Sequence, residues 1–297
     1  MKTLSLTFLL AMAVTVRLPA DTTISPANHA AYAANLGWID WRGDVNQGAV
    51  MGEYVCSGYL YAANVGWIYL GNGAPADGIR YANTSAHDFG VNHDGLGRLE
   101  GYAWGANIGW LTFTNRDANG LAYDGPRVDL FTGKLSGYAW SANAGWISLS
   151  NAPAFVQTQT MPPGADADKD GIVDAWELLH FGNLTNADAT SDFDGDGSSD
   201  RAESVAGTNP KDPASKLDII SYALDAGRLS SILVWQSQPN RRYRILSADL
   251  LSPNQVWTDL GLGWIHPDPG SSTRRSFSRT NAFAGFYRLE TAKPLAP

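Results

Sequence analysis

Apolar and polar positions alternate with a period of two over much of the first half of the chain. Between residues 135 and 140, aliphatic or small residues at odd positions alternate with Ser, Tyr and Trp at even positions, and residues 146–150 repeat the alternation. An Ala-Asn-x-Gly segment separates the two runs, and Asn and Gly are favoured in tight turns. The pattern predicts a β-hairpin over residues 135–150.

The same unit occurs four times. Residues 32–39, 61–68, 104–111 and 140–147 each contain an aromatic residue followed by x-Ala-Asn-x-Gly-Trp, and the final Trp residues are 29, 43 and 36 positions apart. Insertions therefore fall between the copies. Because one hairpin is marginally stable in water, we expect the copies to form one β domain over residues 21–152. The spacing does not distinguish a meander from a barrel or a propeller-like closure.

The last two copies carry an additional Gly-Tyr-Ala-Trp motif, at residues 101–104 and 137–140. A further strand is expected before each, at residues 91–93 and 128–130. The region resembles the Gly-Tyr-Ala-Trp repeat regions of secreted bacterial surface proteins. That resemblance implies a location more than an activity.

Two interpretations of the repeat aromatics are open. We expect Trp and Tyr to form the core and Asn to form the turns, because aromatic side chains bury large areas. The alternative is a carbohydrate-binding protein, in which exposed rings stack on sugars and the turn amides of Asn35, Asn64, Asn107 and Asn143 bind hydroxyl groups. The direction in which Trp38, Trp67, Trp110 and Trp146 point separates the two.

Charge is concentrated in the middle of the chain. The 297 residues carry a formal net charge of −8, and residues 165–212 contain twelve acidic and three basic side chains. Two twelve-residue segments within this stretch, 166–177 and 192–203, have acidic residues at positions 1, 3, 5, 9 and 12 and Gly at position 6. This order lets alternate carboxylates converge on one hard cation, with a backbone carbonyl at position 7.

Both segments resemble the EF-hand calcium loop, and their context resembles the thrombospondin type 3-like calcium repeats of secreted bacterial proteins. The resemblance implies two structural Ca²⁺ ions as cofactors in a repeat pair over residues 165–214. The implied ligands are Asp166, Asp168, Asp170, Ile172, Asp174 and Glu177 in the first loop, and Asp192, Asp194, Asp196, Ser198, Asp200 and Glu203 in the second.

Short helices are predicted after the loops, at residues 175–181 and 201–206, with Gly182 and Gly207 as stops. Long amphipathic helices do not flank the loops, so a structural role is favoured over a sensor. A dockerin-like protein-docking module is the rival interpretation.

Residues 153–164 are predicted to be a linker, and residues 215–297 a small β-sandwich. About six short apolar runs between polar turns support the sandwich. Its arginines, among them Arg241, Arg242 and Arg244, suggest a basic face, although charged strand edges are favoured.

The N-terminus has the features of a secretory signal. Lys2 precedes an apolar run, and small residues end at Ala20, so residues 1–20 are predicted to be removed. The protein is therefore expected to be extracellular or on the cell surface, without a membrane span. The single cysteine, Cys56, is expected to be a small core residue.

The sequence contains none of the familiar nucleophile, zinc-protease or phosphate-loop motifs, and no enzymatic activity is expected. The predicted fold class is mainly β: an antiparallel β repeat domain, a calcium-loop and helix connector, and a C-terminal β-sandwich. The predicted function is a secreted calcium-binding structural, cell-surface or matrix protein whose connector is stiffened by metal. The expected partners are a glycan or a cell-surface or matrix component, not nucleic acid, and the oligomeric state is left open.

Overall fold

The computed structural model describes residues 22–43, 46–116, 122–227, 230–252, 254–278 and 285–297. The predicted signal at residues 1–20 lies outside this part of the chain. The described chain is mainly β, as predicted, with antiparallel sheets and two short helices.

Thirteen strands among the described residues belong to the N-terminal half. They are β1 Ile24–Ala33, β2 Gly37–Asp40, β3 Val50–Met51, β4 Cys56–Ala62, β5 Gly66–Asn72, β6 Val91–His93, β7 Leu99–Gly105, β8 Gly109–Phe113, β9 Arg127–Val128, β10 Leu135–Ser136, β11 Tyr138–Ser141, β12 Gly145–Ser148 and β13 Val156–Thr158. The strand expected at 91–93 is present as β6. Part of the predicted linker is also a strand, because β13 pairs with β1.

The four repeats close into an eight-stranded barrel. Each repeat supplies one hairpin, β1–β2, β4–β5, β7–β8 or β11–β12, and the strands pair in chain order. The last strand then pairs with the first, with Tyr32 opposite Ser148 and Ala33 opposite Ile147. This up-and-down antiparallel closure answers the question that the repeat spacing left open.

The barrel core is mainly aliphatic, with Trp41 and Phe113 as buried rings, and the expectation that the Trp and Tyr residues of the repeats form it is wrong. Ala103 and Leu111 are buried, whereas their neighbours Trp104 and Trp110 point outward. Interior and exterior side chains alternate along each barrel strand, so with the aliphatic positions inside, the repeat rings lie outside. The eight repeat aromatics are 37–50% exposed; they are Tyr32, Trp38, Tyr61, Trp67, Trp104, Trp110, Trp140 and Trp146.

The outward rings form cross-strand pairs. Trp104 lies opposite Trp110 across β7 and β8, with ring centroids 4.8 Å apart and planes at 64°. Tyr32 and Trp38 make the corresponding pair in the first repeat, at 5.1 Å and 64°. Such edge contacts stabilise the hairpins from outside the core.

The turn asparagines link neighbouring repeats. Asn64 donates a hydrogen bond from Nδ2 to the carbonyl oxygen of Leu36, in the turn of the preceding hairpin, at 3.0 Å. The other three turns repeat this contact: Asn107 to Val65, Asn143 to Ile108, and Asn35 to Ala144. Each turn amide thus reaches across to the adjacent hairpin.

The glycine of the Gly-Tyr-Ala-Trp motif makes room for a crossing segment. Gly101 has φ +107°, and a Cβ there would lie 2.3 Å from the carbonyl oxygen of Gly90. Gly58 occupies the same place in the second repeat, where a Cβ would lie 2.2 Å from the carbonyl oxygen of Gly48. The second repeat therefore has the same motif in structure. Its sequence does not show this, because Leu60 and Tyr61 stand where the later copies have Ala and Trp.

Two short helices follow the barrel. Helix α1, Asp174–Phe181, and helix α2, Asp200–Ala206, begin within one residue of their predicted starts. Gly182 and Gly207 end them in the left-handed conformation, with φ of +74° and +75°. Glycine is suited to this cap because it has no Cβ to strain.

The C-terminal strands form the predicted sandwich. They are β14 Ile219–Leu224, β15 Ser230–Gln236, β16 Arg242–Ala248, β17 Thr258–Asp259, β18 Ser272–Ser278 and β19 Phe286–Ala292. One sheet has the order β14-β15-β18 and the other β17-β16-β19. Trp235 from the first and Tyr243 from the second meet in the shared core.

Three arginines of the sandwich make contacts within the chain. Arg241 is buried against α2, Arg244 pairs with Glu290 at 2.7 Å, and Arg275 pairs with Asp268 at 2.8 Å. Their charges are therefore largely used within the chain.

The barrel and the sandwich also touch directly. Lys293, after the last strand, forms a 2.9 Å ion pair with Glu53 of the barrel. Asn240 donates a hydrogen bond to the carbonyl oxygen of Gly95 at 2.9 Å. The connector therefore lies against two domains that already meet, instead of holding them apart as a linear spacer.

Candidate metal centres

The first acidic loop gathers three carboxylates around one point. Oxygens of Asp166, Asp168 and Asp170 all lie within 4.8 Å of one another. Gly171 turns the loop with φ +90°, and its amide donates to Asp166 at 3.1 Å. One oxygen each of Asp166 and Asp170 is buried without a hydrogen-bond partner. The loop thus presents oxygens that only a ligand from outside the described chain can satisfy.

Glu177 closes this loop from helix α1. Its side chain is 0% exposed, and neither carboxylate oxygen has a hydrogen-bond partner. Burial, and after it the charges of Asp168, Asp170, Asp174 and Asp166, together raise its pKa to about 7. An ionised carboxylate in such a place needs a cation beside it.

The second loop repeats the arrangement. Asp192, Asp194 and Asp196 have oxygens within 4.8 Å of one another. Gly197, with φ +92°, donates its amide to Asp192 at 2.9 Å. Asp194 and Asp196 each keep one buried oxygen without a partner.

Glu203 closes the second loop from helix α2. It is 1% exposed, and its Oε2 has no hydrogen-bond partner, while Oε1 accepts a bond from the Thr208 hydroxyl at 2.9 Å. Burial is the main cause that raises its pKa to about 7, and the surrounding Asp charges add to it. Thr208 was not predicted from the sequence, although it follows the helix-ending Gly207 directly.

The position-9 residues have a different role in the structure. Asp174 accepts a hydrogen bond from the amide of Ala167 at 2.8 Å, and Asp200 accepts one from the amide of Phe193 at 3.2 Å. Each therefore ties the start of its helix back to its loop. Position 9 often reaches the cation through water in such loops, which is compatible with these bonds.

The position-7 residues are held next to the acidic triplets. The amide of Ile172 donates to Asp170, and that of Ser198 donates to Asp196, each at 2.7 Å. Ile172 is also 1% exposed and packs with Trp176 and Ala187. Their carbonyl oxygens stay predicted ligands.

The barrel and the sandwich support the two loops. Tyr54, from the β3–β4 connection, packs against the small core of Ile172 and Trp176. Arg241 of the sandwich donates from Nη2 to the carbonyl oxygen of Ser204 at 3.2 Å, at the C-terminal end of α2. The positively charged guanidinium group of Arg241 suits the C-terminal end of a helix, where the last carbonyl groups lack partners within the helix. Neither contact could be expected from the loop motifs, because both partners lie far away in the sequence.

The donor set fits a hard divalent cation. Carboxylate oxygens converge, part of them are buried and unpartnered, and a glutamate stands at the end of each loop. Hard cations such as Ca²⁺ take oxygen ligands in this way. The loops can therefore hold a metal, and the arrangement contains no sulfur or imidazole ligand within either acidic triplet.

No helix in the described part of the chain is long and apolar enough to cross a bilayer. Comparison with protein-family models, with curated proteins and with solved structures found no match for this chain.

Proposed function

We propose that this chain is a secreted calcium-binding structural protein whose loops at 166–177 and 192–203 each bind one Ca²⁺. The observation that carries the proposal is the Glu177 carboxylate, which is fully buried with both oxygens unpartnered beside three converging aspartates. Leaving such a group ionised without a partner is costly. A divalent cation at the common point would satisfy it.

Calcium fits the loops better than magnesium. Ca²⁺ accepts six to eight oxygens in flexible geometry, whereas Mg²⁺ demands a small octahedral site and keeps several waters. Each loop offers several carboxylates and a closing glutamate that can bind through both oxygens. Extracellular modules of this kind bind calcium at about 10⁻⁴ to 10⁻³ M, which matches a compartment rich in the ion.

A structural role is favoured over a sensor or a docking module. Helices α1 and α2 have eight and seven residues, and their inner sides already contact the chain itself. Trp176 packs near Tyr54, and the end of α2 lies on Arg241. The buried side of each helix is therefore not free to open on binding, and the exposed side, which includes Leu179 and Val205, is short for the interface of a dockerin-like module.

The proposed role of the metal is to brace the contact between the two β domains. Without metal, the gathered carboxylates repel one another and loosen the loops that support α1 and α2. Because those helices touch both Tyr54 and Arg241, an ordered connector stabilises the arrangement of barrel and sandwich.

Isothermal titration calorimetry with CaCl₂ tests the proposal. The protein is expected to bind two ions, and Glu177→Gln and Glu203→Gln are each expected to weaken one site by at least about tenfold. Glu100→Gln is the matched control, because this glutamate is exposed on the barrel. Absence of binding heat at millimolar Ca²⁺, or equal effects of all three substitutions, would refute the proposal.

A second readout locates the effect. Limited proteolysis in EDTA is expected to cut first within residues 165–212, and added Ca²⁺ to protect them. Cleavage that starts in the barrel, or that ignores calcium, contradicts a metal-ordered connector.

A further inference from the structure

A groove runs beside the third repeat of the barrel. Its volume is about 440 Å³, and it lies between the rings of Phe89, Tyr102 and Trp110 and the segment 83–86. Ligand sites commonly span roughly 300 to 1,000 Å³. We propose that this groove binds a neutral oligosaccharide chain, an activity separate from metal binding.

The aromatic side of the groove is held rigidly. The Trp110 indole is 45% exposed, yet three rings contact it at steep angles. Phe89 lies 4.8 Å away at 87°, Trp104 4.8 Å away at 64°, and Tyr102 5.9 Å away at 68°. An exposed ring fixed in this way loses little conformational freedom when a ligand stacks on it.

The opposite wall is polar and uncharged. Asn83, Thr84 and Ser85 bring an amide and two hydroxyl groups to the groove. The seven lining residues are all described, and none is charged. Hydroxyl and amide groups can both donate and accept hydrogen bonds.

The wall is fixed by its own hydrogen bonds. The side chain of Asn83 accepts from the amide of Gly90 at 3.0 Å and donates to the carbonyl oxygen of Tyr81 at 3.2 Å. The nearby Asp88 carboxylate does not line the groove, and it accepts hydrogen bonds from the backbone amides of Ala76 and Ala82. The groove therefore exists before any ligand binds.

This combination fits a sugar better than other ligands. A pyranose ring has one face of polarised C–H bonds, which suits the negative face of an aromatic ring, and a rim of hydroxyl groups that need partners. An anionic polymer would need a cationic wall, and a lipid chain would leave the wall hydroxyls without partners.

The other repeats provide a matched control. Trp38 occupies the same position in the first repeat and is 50% exposed. In the described chain its ring partner is Tyr32 alone. Trp38→Ala therefore removes an equivalent exposed indole without touching the groove.

Affinity gel electrophoresis with soluble polysaccharides tests the proposal. The neutral probes are hydroxyethyl cellulose, xyloglucan, galactomannan and laminarin, and alginate is the anionic probe, each with calcium and with EDTA. At least one neutral probe is expected to retard the protein. Trp110→Ala is expected to weaken that binding by about tenfold, and Trp38→Ala by less than twofold.

A second variant keeps the test independent of barrel stability. Ala86→Trp is expected to fill the groove from its exposed loop and to abolish retardation as well.

Three outcomes overturn the proposal: no neutral probe retards the protein, alginate alone retards it, or the Trp38 and Trp110 variants lose binding equally. A Trp110→Ala effect on self-association in sedimentation velocity, without any effect on retardation, also overturns it, because the surface would then meet a second copy. Since the proposed calcium sites lie elsewhere, failure here leaves them unaffected.

Discussion

Asn35 donates a hydrogen bond to the carbonyl oxygen of Ala144 at 3.2 Å, across 109 residues of sequence. The bond lies at the seam where the last strand of the barrel meets the first. With the three equivalent bonds it forms a ring of amides at the hairpin end of the barrel. An asparagine present in all four copies of the repeat therefore links each copy to its neighbour.

Removing one amide of this ring should weaken the barrel. Asn107→Ala is expected to lower the free energy of unfolding by about 1 kcal/mol, the usual net value of one hydrogen bond. Urea unfolding measures the loss. Asn72→Ala is the control, since its amide oxygen accepts only a local bond from Ala74 among the described contacts. An equal loss in both variants would contradict a role between repeats.

His93 should make the fold sensitive to acid. Its Nδ1 donates to the carbonyl oxygen of Glu53 at 2.8 Å, and its Nε2 accepts from the amide of Gly97 at 3.0 Å, so the buried ring is neutral. Burial lowers its pKa below the usual 6.5. Unfolded protein therefore binds the proton more tightly, and stability falls as the pH drops below about 6.5.

The comparison with His93→Asn isolates this effect, because Asn keeps a donor near Nδ1 but does not titrate. Urea unfolding at pH 7.5 and pH 5.5, in EDTA, is expected to show a larger loss for the wild type than for the variant. Identical pH dependence of the two proteins would exclude His93 as the source.

The ion pair between Glu53 and Lys293 should stabilise the contact of barrel and sandwich. Both side chains are less than a fifth exposed, and burial lowers the pKa of Lys293 even though Glu53 opposes that shift. Lys293→Met removes the ion-pair partner of Glu53 and is expected to lower the free energy of unfolding by about 3 kcal/mol. The double variant Glu53→Gln/Lys293→Met should recover most of that loss. A double variant as unstable as the single one contradicts the pairing.

Calcium binding should release protons near neutral pH. The raised pKa of about 7 for Glu177 and for Glu203 means that each is about half protonated at pH 7 without metal. Binding requires the ionised form, so about one proton per chain should leave at pH 7 and almost none at pH 8.5. Affinity should accordingly fall as the pH drops below 7. Calorimetry in buffers of different ionisation enthalpy measures the release, and heats that do not depend on the buffer contradict it.

The hairpins could be predicted from sequence because their signals are local. The alternation around Ala103 and Trp104 and the turn at Asn107 all lie within a few residues. Which face of each strand is buried could not be predicted from these local signals, because it depends on how the sheet closes into a barrel. Only the pairing of β12 with β1 closes the barrel, and this closure places Leu111 inside and Trp110 outside.

In the acidic loops, too, local features could be predicted from the sequence and long-range contacts could not. The triplet and the closing glutamate of each loop lie within twelve residues, so their spacing alone predicted that they would converge. Tyr54 and Arg241 support the loops from the barrel and the sandwich, and no spacing rule connects them to Glu177 or Glu203. Gly58 was missed for a different reason, since its copy of the motif has Leu and Tyr in place of Ala and Trp.

Anomalous X-ray diffraction from crystals grown in CaCl₂ tests the two metal sites most directly. Two anomalous peaks are expected, one within about 2.3–2.6 Å of oxygens from Asp166, Asp170 and Glu177, and one at the same distances from oxygens of Asp194, Asp196 and Glu203. Well-ordered loops without an anomalous peak, in which the carboxyl groups of Glu177 and Glu203 are still buried, would contradict calcium binding at these sites.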